Sequence, residues 1–338
     1  MKQIFYLAIY ILLFCSCEKE IGELTEYESP RLVVNALLTA QKEAQQLRIR
    51  MTGPMQVERV EGAEVTLSLN DSLIYSHTTS DEDALDLTTE GFKAGDIVKV
   101  DVRKAGMHAS ASAEVLPPVI ITGVDTMTVM AKRYSLSDEM EPHRRMLVHL
   151  RQPEGTNTKE TSFYRVEVYK TIYEVSSFSV KGDTLADVHY KVDADHTSFS
   201  YASDPALCES EGIDQENLSV SFDWLAGVMN TYYVFRSTYF EDGKYTLRLD
   251  FPSPYFLSEY GWAQYVKIRV YAISRVEYNY LMALSAYKNS DFDTIYDTEP
   301  GVTTNVMGGA GIFCVESEAS VAIYDDHNLL KDGDRYAH

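Results

Sequence analysis

Apolar and polar residues alternate at period two in many stretches of this chain, which restricts it to folds built from half-buried strands. Ala63, Val65, Leu67 and Leu69 share one face, and Glu64, Thr66, Ser68 and Asn70 share the other. Val98, Val100 and Val102 alternate with Lys99, Asp101 and Arg103, and Tyr164, Val166 and Val168 with Arg165 and Glu167. The cleanest case sets Tyr245, Leu247, Leu249 and Phe251 against Lys244, Thr246, Arg248 and Asp250, followed by Val266, Ile268 and Val270 against Lys267 and Arg269. Such strands rest one face on a core and turn the other to water, as in antiparallel sandwiches and barrels. No regular β–helix–β alternation appears, which argues against a doubly wound α/β fold. The expected class is all-β.

One segment breaks the pattern. Ile273, Val276, Tyr280, Leu284 and Tyr287 are spaced as one face of a helix, which predicts a helix near 274–289 packed on a sheet. Ser274 suits its N-cap, and Glu277 three residues later completes a capping box. A weaker helical stretch covers Phe222–Met229. Leu116-Pro117-Pro118 marks a boundary, because tandem proline cannot donate to a ladder and favours an extended connector. Residues 30–117 then form one β-sandwich, and residues 118–338 a larger antiparallel β-rich unit carrying the principal helix.

The N-terminus reads as an address. Met1-Lys2-Gln3 is followed by an apolar run from Ile4 to Phe14. A helical bilayer span needs about 20 residues, whereas a signal-peptide apolar region needs about 7–15. The run ends in Leu13-Phe14-Cys15-Ser16-Cys17, and Ser16 supplies the small residue required before a lipid-accepting cysteine, which assigns acylation to Cys17. Residues 1–16 are the expected signal peptide, and residues 17–29, with Glu18, Glu20, Glu23, Glu26 and Glu28, an acidic tether. The whole chain carries 51 acidic against 30 basic residues, a formal charge of −21. That balance repels phosphate backbones, so no nucleic-acid partner is expected.

The segment Arg31-Leu32-Val33-Val34-Asn35-Ala36, followed by Val60-Glu61-Gly62-Ala63-Glu64-Val65, resembles the opening of the lipoprotein family called domain of unknown function 4249. Glu299-Pro300-Gly301, Thr304-Asn305-Val306 and Gly308-Gly309-Ala310-Gly311-Ile312-Phe313 resemble its C-terminal pattern. The resemblance implies an outer-membrane lipoprotein of Bacteroidota, often encoded beside TonB-dependent receptors, with an immunoglobulin-like or transthyretin-like N-terminal sandwich. It supplies no catalytic residues. The glutamates after Cys17 likewise resemble the surface-export signal of Bacteroidota lipoproteins, which implies an outward-facing protein.

Local motifs for chemistry are sparse. The eight histidines form no His-x-x-x-His, and the four cysteines no Cys-x-x-Cys, so neither a metal nor a cofactor is expected. Asp193-Ala194-Asp195-His196 and Asp325-Asp326-His327 are the richest polar clusters; both read as solvated turns. Gly308-Gly309-Ala310-Gly311 precedes a strand-like run rather than a helix, so its glycines belong to a turn and not to a phosphate cradle. Once Cys15 leaves with the signal and Cys17 is acylated, Cys208 and Cys314 remain; 106 positions apart, they can form a disulfide or stay separately buried. No Gly-x-Ser-x-Gly elbow is present. Tyr255, Phe256, Tyr260 and Trp262 fall in a stretch between two clear strands and are candidate ligand or partner contacts, since aromatic loop residues often dominate binding energy.

These features favour a surface-exposed outer-membrane lipoprotein that is not an enzyme: a binding or accessory partner of a TonB-dependent transporter in nutrient uptake. The alternatives are a surface glycan or peptide hydrolase with dispersed catalytic residues, and a structural or adhesin lipoprotein. Acylation is the membrane attachment in every version, so Cys17→Ala is expected to convert the chain from membrane-bound to soluble, or to block its maturation. Membrane fractionation checks this, and external protease on intact cells is expected to shave the wild type but find no surface variant.

Overall fold

The computed structural model describes residues 30–53, 57–132, 140–156, 160–180, 184–196, 204–207, 230–252, 262–289 and 303–325. Strands dominate, as the alternation predicts, and the described helix of more than one turn is the expected one. In the first sandwich, β1 (Leu32–Thr39), β2 (Ala44–Thr52), β3 (Val57–Arg59) and β6 (Leu85–Thr88) face a four-stranded sheet. That sheet comprises β4 (Glu64–Leu69), β5 (Ser72–Thr78), β7 (Ile97–Lys104) and β8 (Met107–Glu114), in the order β5-β4-β7-β8. Val65, Leu67, Val98, Val100 and Val102 point inward onto Leu32, Val34, Leu38, Leu47 and Leu87. Each such side chain stabilises the fold by about 1.5–3 kcal/mol.

In the second sandwich, β9 (Ile120–Lys132), β10 (Met140–Arg151) and β14 (Lys244–Pro252) form an antiparallel sheet ordered β14-β10-β9. It covers a sheet of β12 (Thr184–His196), β11 (Phe163–Val180), β15 (Trp262–Ile273) and β16 (Ala310–Asp325), with the short β13 (Val234–Arg236) on β11. Met146, Val148, Leu247, Leu249 and Phe251 meet Val166, Val168, Val266, Ile268 and Val270 across this second core.

The two sandwiches share a strand. Residues 310–316 of β16 pair with β1 in parallel, from Val33 opposite Ala310 to Thr39 opposite Glu316. From Ser317 onward β16 pairs antiparallel with β15 instead, ending with Asp325 opposite Gln264. Phe313 and Val315 are therefore buried in the first core, while Val321 and Ile323 pack against the second. The parallel pair is a departure from the antiparallel expectation, and periodicity alone carries no signal for it: strand partners far apart in sequence leave no local trace.

The Gly308–Gly311 run is explained by this junction. Met307 exchanges backbone hydrogen bonds with Ser110 of β8 (2.8 and 3.0 Å), and the chain then turns to reach β1. A Cβ on Gly309 would sit 2.5 Å from the Leu32 carbonyl, and one on Gly311, at φ +103°, would strike the Val34 carbonyl. Asn305 acts as a surrogate strand: its side chain donates to the Phe313 carbonyl (2.6 Å) and accepts from the Phe313 N–H (2.9 Å).

Helix α1 spans Arg275–Asn289. Ser274 is its N-cap, with Oγ accepting from the Glu277 N–H at 3.1 Å. The reciprocal half of the expected capping box is not made, because the Glu277 side chain turns into the protein. The buried face is also rotated from the expected one. Tyr278, Leu281 and Met282 are buried, whereas Val276, Tyr280 and Leu284 are half-buried. The stretch Phe222–Met229 lies outside the described residues.

Because backbone crowding and a positive φ coincide at Gly311, Gly311→Ala is expected to destabilise the fold by about 2–4 kcal/mol. Urea unfolding of the two proteins side by side measures this.

Candidate functional site: a buried charge cluster at the strand junction

The polar face of β11 opposite its core residues does not meet water throughout. Arg165 and Glu167 alternate with the buried Tyr164, Val166 and Val168, yet their side chains are only 14% and 18% exposed. Strand pairing sets Arg165 opposite Tyr271 and Glu167 opposite Arg269 on β15. Glu316, at the last position where β16 pairs with β1, reaches the same spot. Arg165 Nη2 donates to both Glu316 oxygens (2.7 and 2.8 Å), and Nε donates to Oε1 at 2.9 Å. This fork geometry suits a guanidinium and not an ammonium.

Glu167 completes the array. One of its oxygens accepts from Arg165, and the other accepts from Tyr169 Oη (2.9 Å) and Tyr271 Oη (3.0 Å). The Arg165 guanidinium lies 4.4 Å from the centre of the Tyr271 ring, and Arg269 lies 4.3 Å from that of Tyr169, both within cation–π range. Glu277 enters from α1 and is fully buried beside Glu316. Cys314 is a buried free thiol whose Sγ lies 3.6 Å from Ser274 Oγ.

Burial and charge compete at every group. Desolvation alone would lower the Arg165 pKa, but Glu316, Glu167 and Glu277 outweigh it and hold the guanidinium above its ordinary value. Desolvation would raise Glu167, yet Arg165 and three hydrogen bonds bring it below the usual carboxylate range. Burial, with Glu167 close by, pushes the Tyr169 phenol up to about 12. Burial and then Glu277 push the Cys314 thiol up. The arrangement is chemically suited to tying β11, β15 and β16 together.

The accessible polar surface is elsewhere. A groove of about 470 Å³ lies on the outer face of β4, β7 and β8. Its floor carries two cross-strand rows, Thr66–Asp101–Ser110 and Ser68–Lys99–Ser112, and Asn305 and Met307 line it as well. Asp101 accepts from Arg103 Nε (2.8 Å) and lies 2.5 Å from His108 Nε2. Lys99 Nζ donates to Asp71 at 2.5 Å.

Of the residues singled out by sequence, Cys17, Cys208, Tyr255, Phe256 and Tyr260 lie outside the described residues. Trp262 opens β15, opposite Glu174. Asp193-Ala194-Asp195-His196 is part of β12 and pairs with β11, so it is not the expected turn; its backbone serves a ladder. Asp325 ends β16, and Asp326 and His327 lie outside the described residues. Among the described residues no group of three or more His, Cys, Asp or Glu is placed to hold a metal, and no helix is long and apolar enough to cross a membrane. Sequence reasoning missed the cluster because Arg165 and Glu167 read as water-facing. The available signals were Glu277 inside an apolar helical stretch and Glu316 ending the run Ile312-Phe313-Cys314-Val315.

The fold and its joint define a β protein of two sandwiches with a common strand. The model of the family described as domain of unknown function DUF4249 matches residues 18–321, and the chain belongs to that family. Among curated proteins no sequence matches it.

Removing one partner of a buried ion pair leaves an uncompensated charge, so Arg165→Met is expected to cost about 3–5 kcal/mol in urea unfolding. The lowered pKa of Glu167 gives an acid limb. Its contribution is present above the unfolded-state value of about 4.3 and is lost as pH falls through the folded value. Glu167→Gln is therefore expected to lose less stability than the wild type on acidification below that point, as read by thermal melts across pH.

Proposed function

We propose that this chain is a surface-anchored outer-membrane lipoprotein, held by acylated Cys17, that serves a TonB-dependent transporter as a non-catalytic binding or accessory partner in nutrient uptake. The observation that supports the reading is where the polar chemistry lies. The ionisable side chains around Arg165 are enclosed in the joint between the sandwiches, and the groove over β4, β7 and β8 is open to solvent. An open polar groove on a paired sheet, with Lys99 and Asp101 on its floor, suits capture or docking of a polar ligand.

The strand order is compatible with anchoring. β1 follows the tether directly and is flanked by β16 and β2, so tension on the anchor would load the middle of a sheet and not a fraying edge. Even fully extended, the segment from Cys17 to Pro30 reaches about 45 Å, which keeps the first sandwich close to the bilayer.

Affinity purification of the tagged full chain in mild detergent tests the proposal. Recovery of a TonB-dependent outer-membrane barrel in stoichiometric amount, identified by mass spectrometry, is the expected result. A lone monomer that hydrolyses a glycan or peptide would overturn it.

A further inference from the structure

Glu277 differs from the other carboxyls of the cluster. It is fully buried, and among the described residues no hydrogen-bond donor reaches either of its oxygens. It belongs to α1, whereas the groups that face it come from the sheets: Arg165 from β11, and Cys314 and Glu316 from β16; behind Arg165 lie Glu167 and Tyr271. Tyr280 of α1 is half-buried and lies near both Cys314 and Tyr232, which precedes β13. Arg165 is already engaged by Glu316 and Glu167. Two ionised carboxylates cannot donate to each other, but one added proton makes Glu277 and Glu316 a donor and an acceptor.

We propose that a proton retained between Glu277 and Glu316 latches α1 onto the sheets, and that release of this proton accompanies lifting of the helix. The packing permits such a motion. Tyr278, Leu281 and Met282 of α1 sit on Val234, Tyr271 and Ile273 in a small cluster separate from both sandwich cores. Phe163 adds a ring contact to Tyr278, with centroids 4.8 Å apart. Lifting α1 exposes this aromatic floor and leaves the cores of the two sandwiches closed. The latch is a regulatory device independent of the anchoring role.

The direction of the proton equilibrium agrees with the geometry. Burial first, and then Glu316, hold Glu277 well above the ordinary carboxylate range, against the opposing pull of Arg165. A raised folded-state value stabilises the seated helix fully below the unfolded value of about 4.3, and this stability is lost as pH rises through the folded value.

Hydrogen exchange of the full chain in detergent, corrected for intrinsic rates, tests the latch between pH 5 and 10. Protection in 275–289 is expected to fall about ten-fold per pH unit until the folded value is passed, while β10 and β14 stay protected. In Glu277→Gln, whose amide can donate to Glu316 at any pH, the helix is expected to keep the same protection throughout. Wild-type protection that does not fall with pH, or a fall of equal slope in Glu277→Gln, would overturn the proposal. If Glu277→Gln does not fold, the wild-type profile alone decides: a fall confined to 275–289 supports the latch, and a fall shared with β10 and β14 overturns it.

Discussion

Everything in this protein depends on one strand pairing in two sheets. β16 offers one edge to β1 over its first half and the opposite edge to β15 over its second. Among the described strands, each half thereby leaves an edge without a partner, and unpaired buried backbone is costly. Asn305 meets part of that need by bonding both backbone groups of Phe313. The hand-over falls between Glu316 and Ser317, at the charge cluster.

That placement has a physical rationale. A strand leaving one sheet for another can slide, and apolar contacts resist sliding poorly because they are non-directional. A bidentate Arg165–Glu316 pair is directional and fixes Glu316 against β11 to within a hydrogen-bond length. Buried ion pairs add little net stability over apolar packing, but breaking one is expensive, which penalises any register other than the native one. Tyr169 and Tyr271 both donate to the second oxygen of Glu167, so hydrogen bonds as well as charge hold this part of the array.

Much of the fold was legible in the sequence. The strands around Val65, Val100, Val166, Leu247 and Ile268 follow from period-two alternation, because burial on one face writes itself locally. Ser274 marked the start of α1 for the same reason: a cap is a local interaction. The helix face was misjudged because Glu277 and Ser285 occupy buried positions that polarity argues against. The β1–β16 pairing was not legible, since it joins residues nearly 280 positions apart. The cluster was hidden for the same reason: Arg165 and Glu167 look solvent-facing until Glu316 and α1 cover them. Gly308 and Gly309 form the turn that the sequence suggests, whereas Gly311 lies inside β16, and the need for glycine comes from carbonyls of β1 and β8 that only the fold brings near.

The central claim is that β16 makes the two sandwiches one mechanical unit. Hydrogen exchange of a Phe313→Ala variant tests it most directly, because Phe313 is buried in the first core alone. The cavity should cost about 3–5 kcal/mol. If β16 couples the sandwiches, β10, β14 and β15 of the second are expected to lose protection in parallel with β2, β4 and β7 of the first. Loss confined to the first sandwich, with the second unchanged, would contradict the account.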